Sequence, residues 1–236
     1  MRVESHAVGS IMHIIKRGAR GMEIVRDNRD RLNFVRSIYI LNDQHQNNNW
    51  RTYVVGKPLF YRPESWPQRR PLVSVLAWTL LDNHFHLLLK ETEEGGIAKF
   101  MQRLGGSMTL AFNEKYNGRG SIFQGGYKGR VVETDKYLQY VHTYIVVKNT
   151  FDMFPGGCKK ALPQFEQAWK FASGYRFTSF LTAATGAPSP ILDMNTVHSL
   201  GLIRKDPQKY AKSMLMAHIQ SKEVEMDTAE LILEEW

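Results

Sequence analysis

Leu72-Val73-Ser74-Val75-Leu76-Ala77-Trp78-Thr79-Leu80-Leu81 runs into Asp82-Asn83 and then His84-Phe85-His86-Leu87-Leu88-Leu89-Lys90-Glu91. Both apolar runs read as strands, and a two-residue Asp-Asn loop suits a tight hairpin between them. Side chains alternate across a sheet, so His84 and His86 share one face and Phe85 points into the opposite layer. Two imidazoles so placed can grip one divalent cation and leave positions for a third ligand and for substrate oxygens. An exposed strand with two solvated histidines carries the same signature, so the pair alone does not choose. Its neighbours exclude two metal chemistries. Leu88 stands where a histidine-triad hydrolase needs a histidine, and Leu88-Leu89 stands where a metallo-β-lactamase needs Asp-His.

Before the hairpin, residues 7–17 read as a strand, Gly18 and Gly21 as turn signals, and Met22 to Val25 as a run able to complete a hairpin. Asp27 suits a helix cap, and Leu32, Val35, Ile38 and Leu41 then recur every three residues, which predicts a helix over 28–41. Residues 42–70 lose the pattern and read as a long loop with one short strand at 53–55. After the hairpin, Gly95-Gly96 precede an amphipathic helix marked by Ile97, Met101, Leu104, Met108, Ala111 and Phe112, ending near Tyr116. A glycine-rich basic loop leads to a short strand at 130–132 and a helix from Asp135 to about Val147. This order predicts an α+β fold, helices packed on one face of a sheet. Residues 1–155 form that unit. Residues 156–236 read as a mainly helical C-terminal extension with an acidic tail.

The chain has 236 residues and a net charge of +8. Residues 221–236 hold six acids and one base, so the first 220 residues carry +13. A basic body is the footprint of a polyanion binder. The tail reads as a solvated helix end or, more sharply, as a DNA mimic covering the basic face. No apolar run reaches membrane-spanning length, and Cys158 is the only cysteine, so a membrane span, disulfides and a multi-cysteine zinc site are excluded. The expected setting is a reducing cytoplasm.

Tyr137, Tyr140 and Tyr144 lie at spacings of three and four on one helix face. A phenolate is a good nucleophile toward phosphorus when a cation neutralises the phosphate. Lys115, Arg119, Lys128 and Arg130 occur between 115 and 132 with no acid among them. Phe123 and Tyr127 within that stretch suit stacking on bases.

Three ordered stretches resemble the single-strand transposases of the HUH superfamily that use one catalytic tyrosine, closest to the REP-associated tyrosine transposase group. They are Asn83-His84-Phe85-His86-Leu87-Leu88-Leu89, Gly120-Ser121-Ile122-Phe123-Gln124 through Lys128-Gly129-Arg130, and Tyr144-Ile145-Val146-Val147-Lys148-Asn149. Arg17-Gly18 after the opening strand, the helix after Asp27, and Ser189-Pro190-Ile191-Leu192-Asp193 are similar too. The resemblance implies a ferredoxin-like sheet, Mg²⁺ or Mn²⁺ held by His84 and His86, and Tyr144 as nucleophile. Such an enzyme is a metal-dependent single-stranded DNA endonuclease and strand transferase. It forms a covalent 5′-phosphotyrosine at hairpin-flanked sites. Arg17, Lys115, Arg119, Phe123, Lys128, Arg130 and Lys148 are the expected DNA-binding residues of a monomer or homodimer. The alternatives are a domesticated hairpin-DNA-binding protein and an HUH replication or conjugation nickase.

The family places a Gln or Asn four residues after the tyrosine as a further metal ligand. Lys148 occupies that place here, and Asn149 follows at five. Five residues of regular helix rotate about 500°, which turns Asn149 roughly 140° away from the tyrosine. Asn149 therefore reaches the metal only if the helix bulges, and Lys148 is placed to contact the scissile phosphate instead.

Overall fold

The structure, a computed structural model, describes residues 3–223. The acidic tail from residue 224 onward, and with it the expected cover over the basic face, lies outside the described residues. The core unit runs β1 (Ile11–Arg17), α1 (Asn28–Leu41), a single turn α2 (Trp50–Tyr53), β2 (Val73–Leu80), β3 (His84–Glu91), α3 (Gly96–Tyr116), β4 (Lys128–Val131) and α4 (Asp135–Thr143). A π-helical turn, Tyr144–Lys148, follows α4, and then come α5 (Asn149–Asp152), α6 (Gly157–Ala161), α7 (Phe165–Gly174), α8 (Phe180–Thr185), α9 (Met194–Ser199) and α10 (Pro207–Glu223).

The four strands pair antiparallel in the order β2-β3-β1-β4. This is the split βαβ arrangement of a ferredoxin-like α+β fold. Leu81 donates to the His84 carbonyl at 2.9 Å, so Asp82-Asn83 forms the two-residue tip that the sequence suggests. Leu80 faces Phe85 across the hairpin, Thr79 faces His86, and an irregularity between Val75 and Ala77 takes up Leu76.

α1 begins where Asp27 accepts from the Asp30 amide and Asp30 accepts in return from the Asp27 amide. It buries Phe34, Val35 and Ile38. Phe34 meets Phe85 with ring centroids 5.0 Å apart, which places α1 on the sheet face opposite the two histidines. α3 packs beside α1. Two local expectations give way. The short strand expected at 53–55 is replaced by the turn of α2, anchored by buried Trp50. The second hairpin expected at Met22 to Val25 does not form. Ile24 and Val25 are buried, and both amides donate to the Asp82 carbonyl, at 2.7 and 3.3 Å, so the segment braces the β2–β3 tip. Gly18 is needed at this junction, because a Cβ there would lie 2.1 Å from the Met22 carbonyl oxygen.

The helical stretch after residue 156 shares the apolar core of the sheet unit, contributing Ala161, Phe165, Phe180, Leu202 and Leu215 among others. Residues 177–179 run along the free edge of β2. Leu80 donates to Phe177 and Ser179 to Trp78, each at 2.9 Å, and Ser74 donates to Asp193 at 2.6 Å. No helix among the described residues is long and apolar enough to cross a membrane.

Candidate active site

The register fixes which side chains share the histidine face. His84 and His86 stand opposite Arg17 and Ile15 of β1, and His13 and Ile15 stand opposite Arg130 and Lys128 of β4. Alternation therefore puts His13, Arg17, His84, His86, Lys128 and Arg130 on one surface of the sheet. The helix α4 and its π turn close over this surface, so the sheet has helices on both faces, with the tyrosine helix opposite α1 and α3.

The two expected ligands are adjacent and buried. The rings of His84 and His86 lie 5.0 Å apart between centroids. Nδ1 of His84 is 2.6 Å from Asn83 Oδ1, and Nδ1 of His86 is 2.9 Å from His13 Nε2. The aromatic ring of Tyr144 stands edge-on to His86 at 5.9 Å and to His13 at 6.4 Å. Tyr140 packs against Tyr144 at 6.2 Å, and Tyr137 lies 5.7 Å from the Arg130 guanidinium, with burial pushing its phenol pKa up. Of the three tyrosines on the helix face, Tyr144 is the one set against the histidines.

The helix does bulge at this point, in the π turn Tyr144–Lys148. The Asn149 amide donates to the Tyr144 carbonyl, five residues back. An i→i+5 turn is wider than an α turn, and it brings residue 149 back toward the side of residue 144. Asn149 is fully buried, and neither its Oδ1 nor its Nδ2 has a hydrogen-bond partner. A buried carboxamide with both atoms unpaired is unusual and costly, and it suits a ligand. Among the described residues no three His, Cys, Asp or Glu side chains gather to hold a metal. The side chains here whose chemistry could hold a divalent cation are the imidazoles of His84 and His86 and the carboxamide of Asn149.

Lys148 has its Nζ 4.9 Å from the Tyr144 ring centroid and 3.0 Å from Asp152 Oδ2. Burial pushes the Asp152 carboxyl upward, but the Lys148 charge together with hydrogen bonds from Cys158 and Lys148 outweighs it and holds the pKa below the usual carboxylate range. Lys148 is only 4% exposed. It sits beside the tyrosine with its charge already paired.

Two expected DNA contacts are corrected. Lys115 donates to Asp27 and to Asp30, each at 2.6 Å, so acids from the α1 cap neutralise it on the far side of the sheet. The stretch is free of acids in sequence but not in space. Phe123 is 4% exposed and stands edge-on to Phe85 at 6.1 Å, so it belongs to the core beneath the opposite face and offers no surface for a base. Arg119 is exposed on the glycine-rich loop, and Arg130 approaches Glu4 at 3.9 Å. His13 was not foreseen. Its only sequence signal is a histidine between Met12 and Ile14, in the apolar first half of a strand that ends in Lys16-Arg17.

Residues 68–148 match the family profile described as Transposase IS200 like. Over those residues the chain is similar to IS200-like transposases. The segment spans β2, β3, α3, β4, α4 and the π turn, and it contains His84, His86 and Tyr144. No curated protein matches the sequence. Among solved structures, a REP-associated tyrosine transposase bound to a REP hairpin aligns with 79% of this chain and 88% of its own, at 14% identity and a TM-score of 0.42.

Proposed function

We propose that this chain is a metal-dependent single-stranded DNA endonuclease and strand transferase. The packing of Tyr144 edge-on to His86, on a buried sheet face beside an unpaired carboxamide, carries the reading. His84, His86 and Asn149 would hold Mg²⁺ or Mn²⁺, which polarises the scissile phosphate when bound. Tyr144 Oη attacks the phosphorus. The phosphorus–O3′ bond breaks, a 5′-phosphotyrosine forms, and the 3′ oxygen leaves with a proton as a hydroxyl. A second 3′ hydroxyl reverses the step at a new junction, so the bond energy is conserved. Lys148, held by Asp152, keeps its ammonium group beside the Tyr144 ring. Lys128 and Arg130, on the same sheet face, and Arg17 beside His84 would bind the DNA backbone, and exposed Arg119 extends that path. Hairpin-flanked single strands are the proposed substrate.

The test is incubation of labelled hairpin-flanked single strands with protein and Mn²⁺, followed by peptide mapping of the covalent adduct. Wild type should carry the nucleotide on Tyr144. Tyr144→Phe removes one oxygen and little packing, so it should fold and bind DNA but form no adduct. A nucleotide on Tyr140 or Tyr137 would overturn the assignment. The 2% exposure of Tyr144 favours one other reading, a hairpin-binding protein that does not cut. Binding without any adduct in wild type would select it.

A further inference from the structure

His13 stands 73 residues before His86 in the chain, yet its Nε2 lies 2.9 Å from His86 Nδ1. The two rings stack with centroids 5.1 Å apart and 23° between their planes. Both are buried, at 2% and 0% exposure. The register explains the meeting: Ile15 faces His86 and His13 faces Leu88, so His13 is the diagonal neighbour of His86 on the same face.

One proton sits between the two nitrogens, and its position has a chemical consequence. If His13 donates it, neutral His86 carries its own proton on Nε2 and has no lone pair there for a cation. If His86 donates through Nδ1, Nε2 becomes a ligand. The neighbouring ring is already in that second state, because Asn83 Oδ1 only accepts, at 2.6 Å, and His84 must donate to it through Nδ1. Two rings that grip one cation through the same nitrogen need the same tautomer. We infer that His13 is a positioning residue that accepts the Nδ1 proton of His86 and so holds His86 in the tautomer that ligates through Nε2. A neutral imidazole does this without burying the charge that a carboxylate acceptor would bring. His13 also meets the Tyr144 ring at 6.4 Å, so the residue that orients the ligand braces the nucleophile as well.

The inference rests on the metal reading of the site, and the test separates the two. Imidazole nitrogen NMR of the metal-free, full-length protein reports the His86 tautomer, and Mn²⁺ titration without DNA reports affinity. Wild-type His86 should carry its proton on Nδ1. His13→Leu should move that proton toward Nε2 and weaken Mn²⁺ binding about 10-fold or more. His13→Gln, which keeps an acceptor of similar reach, should restore the tautomer and return most of the affinity. A wild-type His86 protonated on Nε2 overturns the inference, as does His13→Leu binding Mn²⁺ as tightly as wild type. Should His13→Leu not fold, the wild-type tautomer and His13→Gln still decide. His86→Ala supplies the separation. If it binds Mn²⁺ like wild type, the cation is not at His86 and the functional reading fails too. If it loses binding while His13→Leu keeps it, only the positioning role fails.

Discussion

Asn149 is buried with both carboxamide atoms unpaired, a state that costs roughly 1–3 kcal/mol per polar group in a folded protein. A side chain kept for packing would not carry that cost, and one kept for a ligand would. Asn149→Leu, nearly the same shape without the polar atoms, should therefore leave the thermal midpoint unchanged or raised. It should also weaken Mn²⁺ binding, by about 10-fold on the scale of a lost ligand contact. A large loss of stability with unchanged Mn²⁺ affinity would make Asn149 a packing residue. The pair His84 and His86 was legible from strand alternation alone, and Tyr144 from spacing and resemblance. His13 was not, because its meaning depends on which residue of β3 it faces. Lys115 and Phe123 were misplaced for a related reason. Their sequence neighbours are basic and flexible, but their spatial neighbours are Asp27, Asp30 and Phe85.

The tyrosine helix shows how an element absorbs an extra residue. Regular helix would turn Asn149 roughly 140° away from Tyr144. The π turn widens one loop of the helix, and the backbone bond from Asn149 to Tyr144 closes it. Thr79, opposite His86 on β2, donates to the Ile145 carbonyl at 2.5 Å and so ties the widened turn to the sheet. Thr178 meets Thr79 at 3.0 Å and Thr150 at 2.9 Å, which adds the β2-edge segment to the same anchor. Deleting Val147 would shorten the spacing from five residues to four. An ordinary α turn at four residues presents Asn149 on nearly the same side as the π turn does at five. The deletion should convert the π turn to α-helix, keep Mn²⁺ affinity and keep the adduct. Inserting an alanine after Val147 should abolish both. Circular dichroism would confirm that both variants fold, and a deletion variant that folds but binds no Mn²⁺ would show that the π turn itself is required. The outlines of α1, β3 and α3 were readable because caps and periodicity are local. The π turn was not, since it is decided by contacts with β2 and the later chain.

Over the whole molecule, charge and burial set two behaviours that can be measured separately. Lys128 lies on the histidine face, whereas Lys115 is tied to the α1 cap. Lys128→Ala should flatten the salt dependence of single-strand binding by about 0.7 log–log units for the lost phosphate contact. Lys115→Ala should leave that slope alone and lower the urea midpoint, because the Lys115 hydrogen bond holds Asp27 below the usual carboxylate range and helps to do so for Asp30. Equal slopes in Lys128→Ala and wild type would move the DNA path elsewhere. The second behaviour belongs to His142, which is buried between α4 and the later helices, in a cavity lined by Trp169, Phe180, Arg204 and Tyr210. Burial, and then the Arg204 charge, push its pKa down from 6.5 to about 3. The unfolded chain takes up a proton near pH 6.5 and the folded chain does not, so stability falls as pH drops below that value and continues to fall until about pH 3. By pH 5 the loss is about 2 kcal/mol. His142→Leu keeps the volume and removes the titration. Its urea stability should therefore change less between pH 7.5 and pH 5 than that of wild type, by about that 2 kcal/mol. The same pH dependence in both proteins would mean that His142 is reached by solvent and protonated in the folded state, and that the packing of the later helices over α4 is looser than the buried ring implies.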